Sequence, residues 1–190
     1  MADFVRLIPE GDTRERLVCT TCGHVDYQNP RVVVGSVVAH DGAVLLCRRA
    51  ITPRPGYWTL PAGFLELGET AEEGAAREAW EEARARIAFD GLLALFAISR
   101  IGQIQMIFRA RFADPASASF AAGPESAEVR LFAWDDIPWD ELAFPSVHWS
   151  LDAWRAGKAA PLGQPVGNPP ADPRGEGRIP GSAMLQGGGL

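Results

Sequence analysis

The stretch Gly63-Phe-Leu-Glu-Leu-Gly-Glu69-Thr70-Ala-Glu-Glu73-Gly-Ala-Ala-Arg77-Glu78-Ala79-Trp80-Glu81-Glu82-Ala83-Arg84-Ala85 carries the strongest helix signal in the chain. Thr70-Ala-Glu-Glu73 is a capping box: the threonine hydroxyl caps the first turn and Glu73 reaches back to the cap. This predicts a helix from Thr70 to about Ala85. With Glu78 set at zero and about 100° per residue, Glu81 falls near about −60° and Glu82 near about +40°. Three carboxylates therefore share one face, while Ala76, Ala79, Trp80, Ala83 and Ile87 fall on the other. The helix is expected to pack through alanine and tryptophan and to turn its glutamates outward. Like charges at i,i+4 cost a few tenths of a kcal/mol, so the cluster requires a compensating cation or abundant solvent.

Working outward, Val32, Val33, Val34, Val37 and Val38 precede the turn signal His40-Asp41-Gly42 and the run Ala43-Val-Leu-Leu-Cys47, which reads as a β-hairpin with largely buried strands. Pro53, Pro55 and Gly56 form a loop, and Trp58-Thr-Leu60 is a short extended piece. Strands are expected at Leu92–Arg100, Ile104–Phe112 and Val129–Trp134. A second helix is expected over roughly Ser146–Ala156, with Ser146 as N-cap and Gly157 just past its end. Strands without strict alternation with helices point to an α+β sheet with helices packed on it.

Composition divides the chain into a head (residues 1–30), a central domain (31–156) and a tail (157–190). The 34-residue tail holds nine Gly and six Pro, against 11 Gly and 9 Pro in everything before it. Such a segment lacks the apolar pattern needed to offset its ordering entropy and is expected to be disordered or loosely draped. Across 190 residues, 18 Lys and Arg stand against 24 Asp and Glu, a net charge of −6. That balance disfavours a broad nucleic-acid surface but leaves room for an anionic substrate bridged by cations. The start of the chain shows no apolar signal-peptide core, and runs such as Val32–Ala39 fall far short of the ~20 residues needed to cross a bilayer. Three cysteines, an odd number, argue against a disulfide framework. The expected compartment is reducing and cytoplasmic, with no membrane partner.

Gly63-x5-Glu69-x7-Arg77-Glu78-Ala79-x-Glu81-Glu82-x-Arg84-Ala85 resembles the Nudix box, departing from it only at Arg84, where the family has glycine. The resemblance implies a Nudix fold, a mixed β-sheet sandwiched between helices. It also implies a Mg²⁺ or Mn²⁺ site at Glu78, Glu81 and Glu82, completed by the Gly63 carbonyl, and a Glu69–Arg77 pair bracing the loop against the helix. Glu73–Arg77 at i,i+4 is a competing local pair. Magnesium takes oxygen ligands and retains waters, and metal cations neutralise a diphosphate and acidify an attacking water.

His24-x-x-Tyr27-Gln-Asn-Pro30, Leu45-Leu-Cys-Arg-Arg-Ala50, Trp58-Thr-Leu-Pro-Ala-Gly-Phe64, Gly123-Pro-Glu-Ser-Ala-Glu-Val-Arg-Leu-Phe132 and Ile137-Pro-Trp-Asp-Glu-Leu-Ala-Phe144 are similar to the FAD/ADP-ribose diphosphatase subgroup, the plant chloroplast enzyme and its bacterial relatives. The implied reaction is FAD to FMN plus AMP, or ADP-ribose to AMP plus ribose 5-phosphate. The alternatives are an NADH diphosphatase, whose usual downstream motif is replaced here by Ser99-Arg-Ile-Gly-Gln-Ile-Gln-Met106, and a non-catalytic ligand sensor. The expected substrate is a small dinucleotide or nucleotide sugar rather than a nucleic acid, and a homodimer is compatible with it. Glu125 and Glu128 are candidates for a further carboxylate near the metals, with Glu128 preferred; Glu81 and Glu128 are the candidate general bases, and Glu69 and Arg77 complete the expected catalytic set. The subgroup also begins with a zinc ribbon of two C-x-x-C halves. Only Cys19-Thr-Thr-Cys22 is present, so the zinc site, with His24 of unknown geometry, is incomplete by the four-ligand rule.

Overall fold

The computed structural model describes residues 3–114, 116–158 and 161–169. The head is a three-stranded antiparallel sheet of β1 (Phe4–Leu7), β2 (Arg16–Cys19) and β3 (Val25–Asp26), in that order. Arg16 ties it together: its Nε donates to Asp12 Oδ2 at 2.9 Å and its guanidinium lies over the Tyr27 ring.

β4 (Arg31–His40) and β5 (Ala43–Arg49) form the expected hairpin. Asp41 and Gly42 both take positive φ, at 47° and 81°, the backbone that a two-residue hairpin turn with right-handed strand twist requires. The strands pair only at Ala39–Val44 and His40–Ala43, then separate. The gap is filled by β6 (Trp58–Thr59), which pairs with β5, and β7 (Ala62–Phe64), which pairs with β4. Leu60 and Pro61 are buried between them. This wedge brings the start of the Gly63–Ala85 stretch into the middle of the sheet.

α1 (Ala71–Ala83) follows, then β8 (Ile87–Ile98), β9 (Gln103–Phe112), β10 (Ser126–Phe132) and α2 (Pro145–Gly157). The main sheet has seven strands, ordered β10-β5-β4-β9-β8 with β6 and β7 in the wedge. Only β4 and β9 run parallel. α1 covers one face, over Val34, Phe108, Val38, Leu45, Cys47 and Phe112; α2 covers the other, over Val37, Leu46, Trp58, Phe96 and Phe132. The expected α+β sandwich is the fold observed, and no helix among the described residues is long and apolar enough to cross a membrane.

Three expectations need correction. Ser146 does not cap α2: the N-cap is Phe144 in extended backbone, with Pro145 opening the first turn, a position where a missing N–H costs nothing. Gly157 is the last residue of that helix rather than the residue beyond it. The tail is not wholly free of the domain. Leu162 packs on the core beneath α2. Val166 bridges β8, accepting from Leu95 N at 2.9 Å and donating to Leu93 O at 3.0 Å. Asn168 continues the ladder with its side chain, accepting from Ala97 N at 2.8 Å and donating to Ala97 O at 3.0 Å. The composition rule counted apolar residues over 34 positions, whereas two well-placed anchors and a strand edge suffice for this segment. Residues 170–190 lie outside the described residues.

Truncation after residue 158 should therefore lower the melting temperature by several degrees, since backbone-type hydrogen bonds contribute about 1 kcal/mol each and Leu162 adds apolar burial. Val166→Pro, which removes one donor, should produce part of that loss. A thermal melt of the truncated chain that overlays the full chain would show that the segment contributes nothing.

Candidate active site

α1 is built as the capping box predicts. Thr70 Oγ1 accepts from Glu73 N at 3.2 Å and Glu73 Oε2 accepts from Thr70 N at 2.8 Å. That leaves Glu73 occupied, and Arg77 pairs with Glu69 instead. Arg77 Nη2 and Nε reach Glu69 Oε1 and Oε2 at 2.8 and 3.1 Å, the two-pronged geometry that makes arginine–carboxylate pairs strong. Nη2 also donates to the Phe64 carbonyl at 2.9 Å. Nη1 donates to Glu78 Oε1 at 2.7 Å and Glu81 Oε2 at 3.0 Å. Glu69 Oε1 accepts in addition from Glu66 N at 2.7 Å. The guanidinium and this amide push the Glu69 carboxyl down to about 2, and the carboxylates hold Arg77 firmly protonated.

The glutamates do not all face outward. Glu78 and Glu82 are buried, at 9% and 5% exposure, whereas Trp80 is 41% exposed. The buried rows of α1 are Gly74-Glu78-Glu82 and Ala75-Ala79-Ala83. Glycine and alanine let the helix axis lie close to the wedge, an approach the tryptophan ring cannot make. Trp80 sits outside instead, under the guanidinium groups of Arg84 and Arg86. Gly63 is required by the same closeness: a Cβ there would overlap the Glu78 carboxylate. Glu82 Oε2 accepts from Ala62 N at 3.1 Å. Burial, reinforced by Glu78, pushes the Glu82 carboxyl up to about 8, and burial likewise raises Glu78.

The loop before β10 closes the site from the far end of the helix. Ala121 N donates to Ala83 O and Gly123 N to Glu82 O, each at 2.9 Å, and a Cβ at Gly123 would overlap the Glu81 carbonyl. Ala50 N donates to Glu125 O at 2.8 Å, fastening the loop to the end of β5. Glu125 adds its negative charge to both Glu78 and Glu82, and Arg49 approaches Glu82 from the β5 side. The preference for Glu128 is corrected by strand alternation. Its neighbours Val129 and Leu131 pack on the α1 face, with Cys47 and Ala83. Glu128 therefore points to the opposite face, where it lies 3.7 Å from Arg48 and helps line a cavity of about 560 Å³ with Trp58, Arg130 and Asp136. The bulge between Ser126 and Glu128 separates the two glutamates. In the sequence Gly123 only opens the Gly123–Phe132 stretch, with no sign that it packs on the helix, and no spacing marks the bulge.

Among the described residues no three acidic, histidine or cysteine side chains converge on one point. Glu81 is turned to Arg77, with half its side chain exposed. The donor set nonetheless fits a hard divalent cation. Glu78 and Glu82 share one buried row of α1 with the charge of Glu125 acting on both, and Arg77 meets only the first of them, so the row as a set of charges is costly unless a further cation neutralises it. Magnesium needs only a few carboxylates, because it keeps waters.

A family profile described as NUDIX domain matches residues 29–154. The chain belongs to the NUDIX domain family. A second profile, described as Nudix N-terminal, matches residues 2–28. Relatives include a MutT-like protein of Streptomyces ambofaciens, 37% identical over 105 residues, 55% of this chain and 64% of that one. An ADP-ribose pyrophosphatase of Methanocaldococcus jannaschii is 31% identical over 122 residues, 62% of this chain and 69% of that one. The chain thus spans slightly under two thirds of the first relative and slightly over two thirds of the second. A crystal structure of a NUDIX hydrolase from Nitrosomonas europaea superposes with a TM-score of 0.79 at 44% identity, covering 88% of this chain and 92% of that one. The Nudix-box departure at Arg84 is accommodated. Arg84 takes φ 50° and ψ 24° in the left-handed region, its N–H donating to Trp80 O and that of Ala85 to Ala79 O. This is the helix-ending geometry for which glycine is the common choice, so the helix terminus that the substitution put in question is intact.

Two outcomes follow for metal-free protein. A carboxyl whose folded value is raised from 4.5 to about 8 favours the folded state at acid pH and progressively loses that contribution as pH rises through this interval. Glu82→Gln keeps an acceptor for Ala62 N but no charge, and should raise the melting temperature in chelator at pH 8 by several degrees while changing little at pH 4.5. A variant less stable than wild type at pH 8 would contradict the burial argument. Gly123→Ala should destabilise by about 2 kcal/mol or more through overpacking against the helix terminus, measured by denaturant unfolding.

Proposed function

We propose that the protein hydrolyses the diphosphate bond of a nucleoside diphosphate linked to another moiety, with FAD or ADP-ribose as substrate and Mg²⁺ or Mn²⁺ as cofactor. The observation that carries this reading is the pair of buried carboxylates, Glu78 and Glu82, held against Gly63 with Glu125 close by. Among the described residues Glu82 has no arginine hydrogen bond, and as a charge in that buried place it costs several kcal/mol, which a divalent cation would offset. Its relation to an ADP-ribose pyrophosphatase and a NUDIX hydrolase supports the same class of reaction.

Glu78 and Glu82 would hold the cation, joined by Glu81 once its carboxylate leaves Arg77. When bound, the cation would supply charge neutralisation for the diphosphate and a more acidic water. Arg77 links Glu78 and Glu81 to Glu69 and fixes their approach. Arg49, whose charge acts on Glu82, would supply positive charge for a phosphate. The proton of the attacking water passes to a glutamate at the edge of the cluster, and Glu81 and Glu125 are the two so placed. Attack on phosphorus at the bridge yields AMP and FMN, or AMP and ribose 5-phosphate.

Incubation with FAD, ADP-ribose or NADH and Mg²⁺, with the products resolved by chromatography, tests the reading. In ¹⁸O water the label should enter a phosphate of one product; adenosine plus a diphosphate, or no turnover of any of the three, would refute it. Glu82→Gln should lower kcat by at least about 100-fold with the fold intact, on the scale of losing a charge-stabilising group.

A further inference from the structure

The loop between β5 and the wedge carries a pair of side chains that the carboxylate site does not use. Arg54-Pro55-Gly56-Tyr57 has the composition of a type II turn, with proline second and glycine third. Gly56 takes φ 84° and Tyr57 N donates to Arg54 O at 3.4 Å. Such a turn sets its first and last residues side by side, and the Arg54 guanidinium accordingly lies over the Tyr57 ring, 5.3 Å from its centroid. Both side chains belong to exposed residues, with Tyr57 at 38%. Among the described residues no carboxylate pairs with Arg54.

The pair is held in place from below. Arg54 takes φ 59°, a left-handed backbone that is costly for any residue with a side chain and persists only where the surroundings enforce it. The end of β5 enforces it. Arg49 Nε donates to Pro53 O at 2.7 Å and Arg48 Nε to Gly56 O at 2.9 Å. Gly56 N donates to Arg49 O at 2.7 Å, and Arg49 N to Tyr57 O at 2.9 Å. The same strand end meets the carboxylate site: Ala50 N holds Glu125 O, and the charge of Arg49 acts on Glu82. From Tyr57 the chain runs directly into β6 and on to Ala62 and Gly63 beneath α1. Tyr57 and Arg54 therefore stand on the lip of the site, next to the anchor of Glu125.

A planar cation laid on an aromatic ring, both open to solvent, offers a flat π surface with positive charge beside it. Nucleobases stack on such rings and on arginine planes irrespective of their edge groups, whereas a bare phosphate or a sugar gains little from the ring. Building on the diphosphatase reading above, we infer that Tyr57 and Arg54 are the base subsite of this enzyme, stacking the adenine that FAD and ADP-ribose share while the diphosphate lies at the carboxylates. The strained backbone at Arg54 then has a reason. Glycine would accept that φ freely, but it has no guanidinium to lay against the ring.

Steady-state kinetics and calorimetric binding of AMP in Mg²⁺, both on the full chain, test the assignment. Tyr57→Ala should raise KM for ADP-ribose and for FAD alike by about tenfold or more, on the scale of one lost base stack, with kcat retained, as when an interaction common to ground and transition states is removed. AMP binding should weaken by the same factor, while ribose 5-phosphate, which has no base, should bind as before. Tyr57→Phe should restore both. Arg54→Gly should weaken AMP severalfold without lowering the melting temperature, since glycine accepts the positive φ. AMP binding is read without turnover, so a protein that hydrolyses none of the three substrates fails the diphosphatase reading, whereas unchanged AMP affinity in Tyr57→Ala fails the base subsite. No AMP binding by the wild type, a KM change confined to FAD, an equal loss for ribose 5-phosphate, or a Tyr57→Phe variant as weak as Tyr57→Ala would each overturn it as well.

Discussion

Arg77 is the group on which the rest of the site depends. Its donors are shared among Glu69, Glu78, Glu81 and the Phe64 carbonyl, so a single side chain ties the loop after β7 to the helix it precedes. A lysine could not do this, because a point charge lacks the planar fork that meets a carboxylate at two points. The brace also offsets part of the repulsion among the helix glutamates. It leaves Glu82, which no arginine contacts directly, as the carboxylate whose charge is hardest to sustain. On the function proposed above, stability and activity would therefore oppose each other at Glu82, as is common where buried charges serve chemistry.

The brace works only because the sheet delivers the loop to the helix. The β4–β5 hairpin opens after two residue pairs, and the wedge of β6 and β7 places Ala62 and Gly63 beneath α1. Close approach then follows from small residues: Gly74, Ala75, Ala79 and Ala83 on the helix, Gly63 on the wedge and Gly123 on the loop that caps the far end. Three segments distant in sequence thus converge on one helix, each fixed by backbone hydrogen bonds rather than by long side chains. At the other edge of the sheet, residues 162–168 run beside β8 and occupy backbone groups that would otherwise be open to pairing with another strand.

Much of this was legible in the residues. The capping box, the spacing of Glu69, Arg77, Glu78, Glu81 and Glu82, and the β-branched hairpin gave the family and the sandwich, because they depend on local periodicity and fixed offsets along the chain. The orientation of the helix was misread, since the angular plot treats a glutamate as a surface residue and a tryptophan as a core one. The residues packed against them reversed both. Glu125 stands in the turn before β10 and Glu128 within the strand beside Arg48, a difference of backbone setting that the residue types do not mark.

By itself, then, the sequence determined the family, the main strands and helices and how the central helix begins, because each is set by neighbours a few residues away. Tertiary structure alone decided which of the helix carboxylates are buried, which loop glutamate joins them, and that a Gly- and Pro-rich segment docks on a strand edge. Burial, sheet face and edge pairing are relations between segments far apart in the chain, and no local spacing encodes the distance at which they meet.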